Sequence, residues 1–342
     1  QVDHTYQTKA LLGNLTIRNG GGFRNDIVTG NELSRTINRK EISDSIALGD
    51  INEFNGFLFS DYTWERGKWT LNAGVRMDQF QFQEVDLLQE NYDRVNATKY
   101  IVSPKFNVIY TASRQWQFYA KSGKGFHSND TRVVVENKRG NTLPAAYGFD
   151  LGTIYRPFDR LLLDVAYWQL HLEQEFVYVG DEGVVEAGGR TRREGLDVGL
   201  NYQLTDHLFL YGHMNYADPR SVNDPEGENY IPLAPTLTSS GGLTYQQNGF
   251  SGSVTWRYLK DRAANEDNSV VADGYFLTDL NLNYDRTNWG IQLSVENLFN
   301  TDWREAQFDT ESQLQGEAAP VSEIHFTPGT PFFAKAGVVF KF

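Results

Sequence analysis

The residues best suited to metal or proton chemistry are six histidines, His4, His127, His171, His207, His213 and His325. They are scattered: only His207 and His213 are close in sequence, and a strand turn and a strand body separate them. Solvated or lumen-lining side chains fit that spacing better than a zinc centre, whose ligands must converge on one point. The acidic run Asp302, Glu305, Asp309, Glu311, Glu317 and Glu323 has carboxylates for Ca²⁺ or a cationic ligand, but it reads more simply as a solvated loop. Gly20-Gly21-Gly22 is read as part of a loop with no helix after it, and no Gly-x-Ser-x-Gly, phosphate loop or dinucleotide fingerprint occurs. No compact catalytic constellation emerges, so an enzyme is not expected and no cofactor is implied.

The chain instead repeats one unit: an alternating segment of about ten residues, a tight polar turn, a second such segment, then a longer polar stretch. The tight turns are Glu65-Arg66-Gly67-Lys68, Ala112-Ser113-Arg114-Gln115, Pro157-Phe158-Asp159-Arg160, Thr205-Asp206-His207, Gln247-Asn248-Gly249 and Asp285-Arg286-Thr287-Asn288. Long connections are expected near 19–52, 84–98, 124–144, 218–233, 261–273 and 299–330, with 33–42 assigned to the first of them on up-down parity. In 69–77 the residues Trp69, Leu71, Ala73, Val75 and Met77 form one face against Thr70, Asn72, Gly74 and Arg76. The same alternation sets Leu196, Val198 and Leu200 against Asp197, Gly199 and Asn201, and Trp289, Ile291, Leu293 and Val295 against Gly290, Gln292 and Ser294. One strand before 19–52 and thirteen after it predict about fourteen strands of an all-β, antiparallel transmembrane barrel.

Composition agrees. The 342 residues include 18 Tyr, 22 Phe, 7 Trp and 31 Gly but only 10 Pro, a mixture that favours strands. No stretch holds the roughly 18 consecutive apolar residues of a membrane helix, and the mean hydropathy of -0.50 is what alternating strands produce. Aromatics recur within about four residues of the short turns (Trp64, Trp69, Trp116, Phe158, Phe209, Phe250, Trp289), as an interfacial girdle requires. The net charge of -13 argues against a nucleic-acid partner and favours cationic or metal-bearing solutes. Gln1-Val2-Asp3-His4 has neither the basic nor the apolar region of a signal peptide, so the chain is expected to start within a mature or truncated product.

The final segment, Phe332 to Phe342, alternates throughout, and its Lys335, Gly337, Phe340 and Phe342 match the polar-x-Gly-x-x-apolar-x-aromatic ending that resembles the assembly signal of outer-membrane barrels. Ser103-Pro104-Lys105-Phe106 through Lys121-Ser122-Gly123-Lys124-Gly125-Phe126-His127-Ser128-Asn129-Asp130 resembles a stretch of the TonB-dependent receptors. Val295-Glu296-Asn297-Leu298-Phe299-Asn300-Thr301-Asp302-Trp303 is similar to that family's Asn-Leu-Phe-Asn motif, and Ile324 to Pro331 resembles the segment before its last strand, with Phe332 where the family has Arg.

This resemblance implies the C-terminal part of a barrel of about 22 strands closed by a plug, with residues 1–342 forming barrel and the plug and first strands absent from the chain. It implies location in the bacterial outer membrane and TonB-dependent uptake of a scarce nutrient, with an iron-siderophore or other metal chelate as the commonest case. Implied partners are outer-membrane lipid and lipopolysaccharide, the barrel-assembly machinery, a small-molecule substrate, and the TonB complex acting through a plug. Arg76, Asp78, Lys105, Lys121, Asp197, Arg257 and Asp279 are the candidate lumen-lining residues. A passive porin of about fourteen strands, without plug or energy coupling, is the alternative. Deleting Phe342 removes one apolar contact, roughly 1–3 kcal/mol by area. If that residue belongs to a recognition strand, outer-membrane levels on immunoblots fall far more than this energy suggests, with precursor left in the periplasm; normal assembly makes the match a coincidence of strand ends.

Overall fold

A computed structural model describes residues 1–89, 94–128, 131, 142–179 and 184–341. Its strands in chain order are β1 (Val2–Ala10), β2 (Gly13–Ile37), β3 (Glu41–Arg66), β4 (Trp69–Asp86), β5 (Arg94–Thr111), β6 (Trp116–Phe126), β7 (Ala145–Phe158), β8 (Leu161–Leu172), β9 (Phe176–Val179), β10 (Val184–Ala187), β11 (Thr191–Gln203), β12 (Leu208–Ser221), β13 (Leu237–Gln247), β14 (Phe250–Leu259), β15 (Arg262–Ala263), β16 (Val271–Ala272), β17 (Tyr275–Asp285), β18 (Trp289–Glu296), β19 (Arg304–Ser312), β20 (Val321–Pro328) and β21 (Phe333–Phe340). Fifteen of them, β1–β8, β11–β14, β17, β18 and β21, follow the up-and-down order. No described helix is long and apolar enough to cross a membrane.

The chain divides into two units. The first comprises Gln1–Tyr110, Tyr119–Phe149 and Leu170–Arg190, the second Thr111–Phe118, Asp150–Gln169 and Thr191–Phe342. In the first, β1 to β5 pair antiparallel in chain order. In the second, β11, β12, β13, β14, β17, β18 and β21 do so.

All six short turns named from the sequence join consecutive strands. At Asn248-Gly249 both φ angles are positive, 52° and 84°, the left-handed pair whose twist matches a two-residue hairpin. Two further such turns carry little sequence signal. Leu11-Leu12 (φ 52° and 61°) joins β1 to β2, and Asn38-Arg39 (φ 51° and 59°) joins β2 to β3.

These turns correct the expectation for 19–52, which is not a loop. β2 and β3, of 25 and 26 residues, run through it and pair from Asn14↔Glu65 to Ile37↔Glu41. Above the apolar band a strand can be polar on both faces, so its composition resembles a loop. Up-down parity, used to exclude a strand at 33–42, is kept because the Leu11-Leu12 turn supplies one extra strand before it, giving fifteen where about fourteen were expected. The stretches 261–273 and 299–330 likewise carry the short hairpins β15–β16 and β19–β20. Most of the 124–144 connection lies outside the described residues.

Register also shows that the apolar face of the first unit turns polar partway along the strands, and that on β4 the two faces exchange character. Residues directly opposite one another share a face, so the rows Leu15, Trp64, Leu71, Val108 and Gly21, Leu58, Met77, Val102 belong to the apolar face. Two rows above Met77 the same face presents Asn25, Phe54, Gln81 and Thr98. The opposite face switches the other way: Arg76 and Asp78 are followed by Phe80 and Phe82, which form a buried cluster with Ile101 and Leu143, flanked by Ala97 and Phe126. Phe82 has no exposed surface. Phe82→Ala therefore removes a fully enclosed ring and is expected to cost about 3–5 kcal/mol, read as a lowered urea midpoint with unchanged denaturant slope; an unchanged midpoint would show that this cluster does not hold the upper strands.

Candidate functional site

In the first unit the polar face opposite the apolar band is a ladder of charge pairs. Arg76 and Asp78, two residues apart on β4, form a bidentate pair, Nε to Oδ2 at 2.8 Å and Nη2 to Oδ1 at 2.7 Å. Asp78 is fully buried and also accepts the Asn55 amide at 3.1 Å, while the Arg76 guanidinium lies 3.8 Å from the Phe57 ring centre. A buried carboxylate is tolerable only when its charge and lone pairs are so engaged. Lys105 on β5 reaches Asp61 on β3, Nζ to Oδ2 at 2.6 Å, across the intervening β4. Gly74 makes this crossing possible, since a Cβ there would stand 2.7 Å from both Asp61 Oδ2 and Lys105 Cε. Asn72 donates to Asp61 and Thr63 at 2.8 and 3.0 Å and accepts from Asn107 at 2.9 Å, extending the ladder downward.

Gly20-Gly21-Gly22, expected in a loop, lies within β2. Gly20 and Gly22 face the rings of Phe59 and Phe57, whose atoms occupy the space a Cβ would take. Arg18 pairs with Asp3 at 2.9 Å. Arg18, Phe59, Asp61, Gly74, Arg76 and Lys105 line a cleft of about 370 Å³. Lys121 instead folds over Tyr119 on its own strand, 4.4 Å from the ring centre.

The candidate residues of the second unit are held by neighbours in the same way. Asp197 accepts the Trp168 indole N–H at 2.9 Å and the Asn215 amide at 3.0 Å. Asp279 lies 3.7 Å from Arg257 and accepts the Asn297 backbone N–H at 2.9 Å.

That last bond belongs to a clasp formed by Asn297-Leu298-Phe299-Asn300. Asn297 is buried with φ 50°, and Asn300 has φ 51°, a conformation Asn adopts more readily than most residues. The Asn297 amide donates to Thr301 O at 2.8 Å and Thr330 O at 3.1 Å and accepts Thr301 N–H at 2.8 Å. Asn300 Oδ1 accepts Phe332 N–H at 2.9 Å, and the Trp303 indole donates to Thr330 O at 3.0 Å. The motif thus ties the end of β18 to the residues that lead into β21. Thr301 and Trp303 fall within the stretch that resembles the family motif, whereas its tie to Gly329 and Thr330 was not foreseen; Gly329, whose missing side chain leaves room for the Trp303 ring, was the available signal. Lys335 and Gly337 face Ser294 and Gln292 on the polar face, Phe340 faces Trp289 on the apolar face, and Phe342 lies outside the described residues.

The outer connections of the second unit are tied to one another. Leu233 N–H donates to Ala263 O at 2.8 Å and Arg262 Nε returns a bond to Leu233 O at 3.0 Å. The buried Gln307 amide pairs with both backbone groups of Asp273, at 3.0 and 2.8 Å, beside an Arg304 to Asp273 ion pair of 2.9 Å. Burial lowers the Arg262 pKa, while Ser269, through its hydroxyl and backbone N–H, holds Asp267 below the usual carboxylate range. The Asp267 contribution is present above the ordinary carboxylate pKa and lost only as pH falls through its lowered value. Of the acids of 302–323, Asp302 precedes β19 and the others are spread over β19, its turn and β20; Asp309 accepts Ser322 Oγ at 2.8 Å, and Glu317 accepts Leu314 N–H at 2.7 Å.

A family model described as "TonB dependent receptor-like, beta-barrel" matches residues 1–298. The metal-pseudopaline receptor CntO of Pseudomonas aeruginosa is 25% identical over 268 residues, which are 73% of this chain and 37% of that protein. Among solved structures, the unliganded ferric citrate transporter FecA superposes with a TM-score of 0.79 at 16% identity over 98% of this chain and 53% of its own. The closed form of the ferric-catecholate import receptor Fiu from K12 E. coli does so with a TM-score of 0.74 at 17% identity, over 98% and 53%. The chain therefore spans about half or less of the length of these relatives.

Asn297→Ala removes three side-chain hydrogen bonds and leaves Thr301 N–H and Thr330 O without them, an expected loss of about 2–4 kcal/mol in urea unfolding. Asn297→Gly, which relieves the left-handed backbone, should lose less; equal loss in both would show that the amide, not the backbone conformation, carries the whole effect.

Proposed function

Because the chain belongs to the TonB-dependent receptor β-barrel family, we propose that it is the C-terminal barrel portion of an outer-membrane receptor that imports a scarce nutrient, a metal chelate of the iron-siderophore class. The observation that carries this reading is the match over residues 1–298. CntO by its name receives a metal-pseudopaline complex, FecA transports ferric citrate, and Fiu imports ferric catecholates.

The apolar face lies against lipid. From Trp69, which packs on Tyr110, to Gln79, beside Tyr100, β4 bounds a band between aromatic rows. At about 3.4 Å per residue and a tilt near 45°, that length corresponds to about 24 Å along the membrane normal, the height of a barrel's apolar belt. The short turns lie on the periplasmic side, and the long excursions, with the interlocked rim of the second unit, meet the chelate first. β21 ends in the strand the assembly machinery captures.

Arg76, Lys105, Lys121 and Arg257 line the lumen, and Asp78, Asp197 and Asp279 hold the charges and strand ends that shape it. The upstream part of such a receptor supplies the plug and the contact to TonB, which delivers inner-membrane energy to a membrane without ATP. No chemistry is performed on the solute, so selectivity rests on binding and on the controlled opening of a path.

The test is uptake of radiolabelled ferric chelate in iron-limited cells with and without the gene, each in TonB-positive and TonB-negative backgrounds. Uptake should need both. Gene-dependent uptake that persists without TonB would replace this reading with the passive porin.

A further inference from the structure

The cleft on the polar face of the first unit is built from two neighbouring rows of the sheet. Arg18, Asp61, Gly74 and Lys105 lie side by side across β2, β3, β4 and β5, and Gly20, Phe59, Arg76 and Ser103 form the next row. Lys124, near the end of β6, completes the lining. Four cations, Arg18, Arg76, Lys105 and Lys124, thus border one space of about 370 Å³, and Asp61 is the one carboxylate residue among its lining.

Pairing does not exhaust these cations. Arg18 is met by Asp3, Arg76 by Asp78 and Lys105 by Asp61, so three carboxylates offset three of the four and one positive charge is left over. It belongs to Lys124. Among the described residues its ammonium meets no carboxylate, and its ring contact, to Tyr147, is a long 6.0 Å. Donors remain on the guanidinium groups as well, since a guanidinium has more N–H groups than one carboxylate uses. Arg18 reaches Asp3 through Nε, and Arg76 reaches Asp78 through Nε and Nη2, which leaves both Nη groups of Arg18 and Nη1 of Arg76 uncommitted among the described residues. The rings of Phe59 and Phe57, centred 5.7 and 3.8 Å from the two guanidinium carbons, hold these groups in place. Asp61 opposes an incoming anion little, because Lys105 at 2.6 Å and the Asn72 amide at 2.8 Å already engage it. A surplus positive charge in a chain of net charge -13, set beside unused N–H donors around one hollow, suits an oxyanion, whose charge-assisted hydrogen bonds are the strong ones.

We propose that this cleft binds one oxyanion, a phosphate or carboxylate group, between Lys124, Arg18 and the free edge of Arg76. Lys124 supplies the charge, and the two guanidinium groups supply directional donors. The group has two possible sources: a small ion in solution, or an Asp or Glu side chain of a polypeptide segment lodged in the cleft. The inference uses the geometry of the first unit alone and goes beyond the transport reading.

The test titrates the purified receptor in mild detergent with inorganic phosphate by calorimetry at low ionic strength, where screening is weak, and melts it in phosphate or in sodium chloride of equal ionic strength. With an ion as the source, the wild type binds phosphate and melts higher in phosphate than in chloride. Lys124→Gln then binds about tenfold more weakly, the loss of one charge-assisted bond, and Lys124→Arg keeps the binding. With an acidic side chain as the source, phosphate binds neither protein because the cleft is filled, yet Lys124→Gln lowers the melting temperature and Lys124→Arg does not, an effect that a lysine without a partner cannot produce. The proposal is overturned if phosphate binding survives both Lys124→Gln and Arg18→Gln undiminished, or if phosphate fails to bind and Lys124→Gln melts like the wild type or like Lys124→Arg. Heat-modifiable gel migration shows that each variant is folded. TonB-dependent uptake is a separate measurement, so the transport reading survives any of these results.

Discussion

In a wall made of paired strands, everything depends on register, because side chains alternate with period two and a slip of one residue exchanges the faces of a whole strand. For Met77 and Arg76 the exchange would set a guanidinium on the apolar face and a thioether on the polar one. The devices that hold register are therefore the main structural content of this chain. Left-handed turns of two or three residues, at Leu11-Leu12, Asn38-Arg39 and Asn248-Gly249, leave little slack between strands. The Lys105 to Asp61 pair over Gly74 couples three strands at once. The Asn297 clasp performs the same task where a turn cannot, since thirty-odd residues of rim separate β18 from β21, its neighbour in the sheet.

The same constraint decided what could be read from the sequence. Strands that bury one face leave an alternating record, so 69–77, 196–204, 289–295 and the final strand were legible, and so were turns marked by Gly, Asn or Asp. The Leu11-Leu12 turn was not, because its positive φ angles fall on residues that seldom adopt them. The upper halves of β2 and β3 were not, because a strand exposed on both faces needs only its backbone ladder and leaves no apolar period. The Asn-Leu-Phe-Asn motif was visible by resemblance alone. Its physical role needed the positions of Thr330 and Phe332, which lie about thirty residues away and share no local pattern with it.

The candidate site was legible in kind and not in function. Alternation predicted which face Arg76, Asp78, Lys105, Asp197 and Asp279 occupy, but not that each is engaged by a neighbouring side chain. Asp78 is neutralised by its own neighbour two residues back, Asp61 by a lysine two strands away, and Asp279 serves a backbone N–H. A polar face built this way presents little net charge in its lower part, so the net charge of -13 is concentrated elsewhere. The hairpin β19–β20, with Asp309, Glu311, Glu317 and Glu323, is one such place. An acidic hairpin of this kind attracts cations from solution.

The inversion above Met77 joins these points. On the membrane reading proposed above, the strands below it meet an apolar medium on one side, and their side-chain polarity goes mostly to the other. Above it water is available outside, so the outward rows become amides while Phe80, Phe82 and Ile101 turn inward and build a core of the ordinary soluble kind. The outward rows change together on β2 to β5, whereas the inward exchange is confined to β4: on β3 Phe59 and Phe57 stand beside Arg76 and Asp78, and Asn55 and Glu53 beside Phe80 and Phe82.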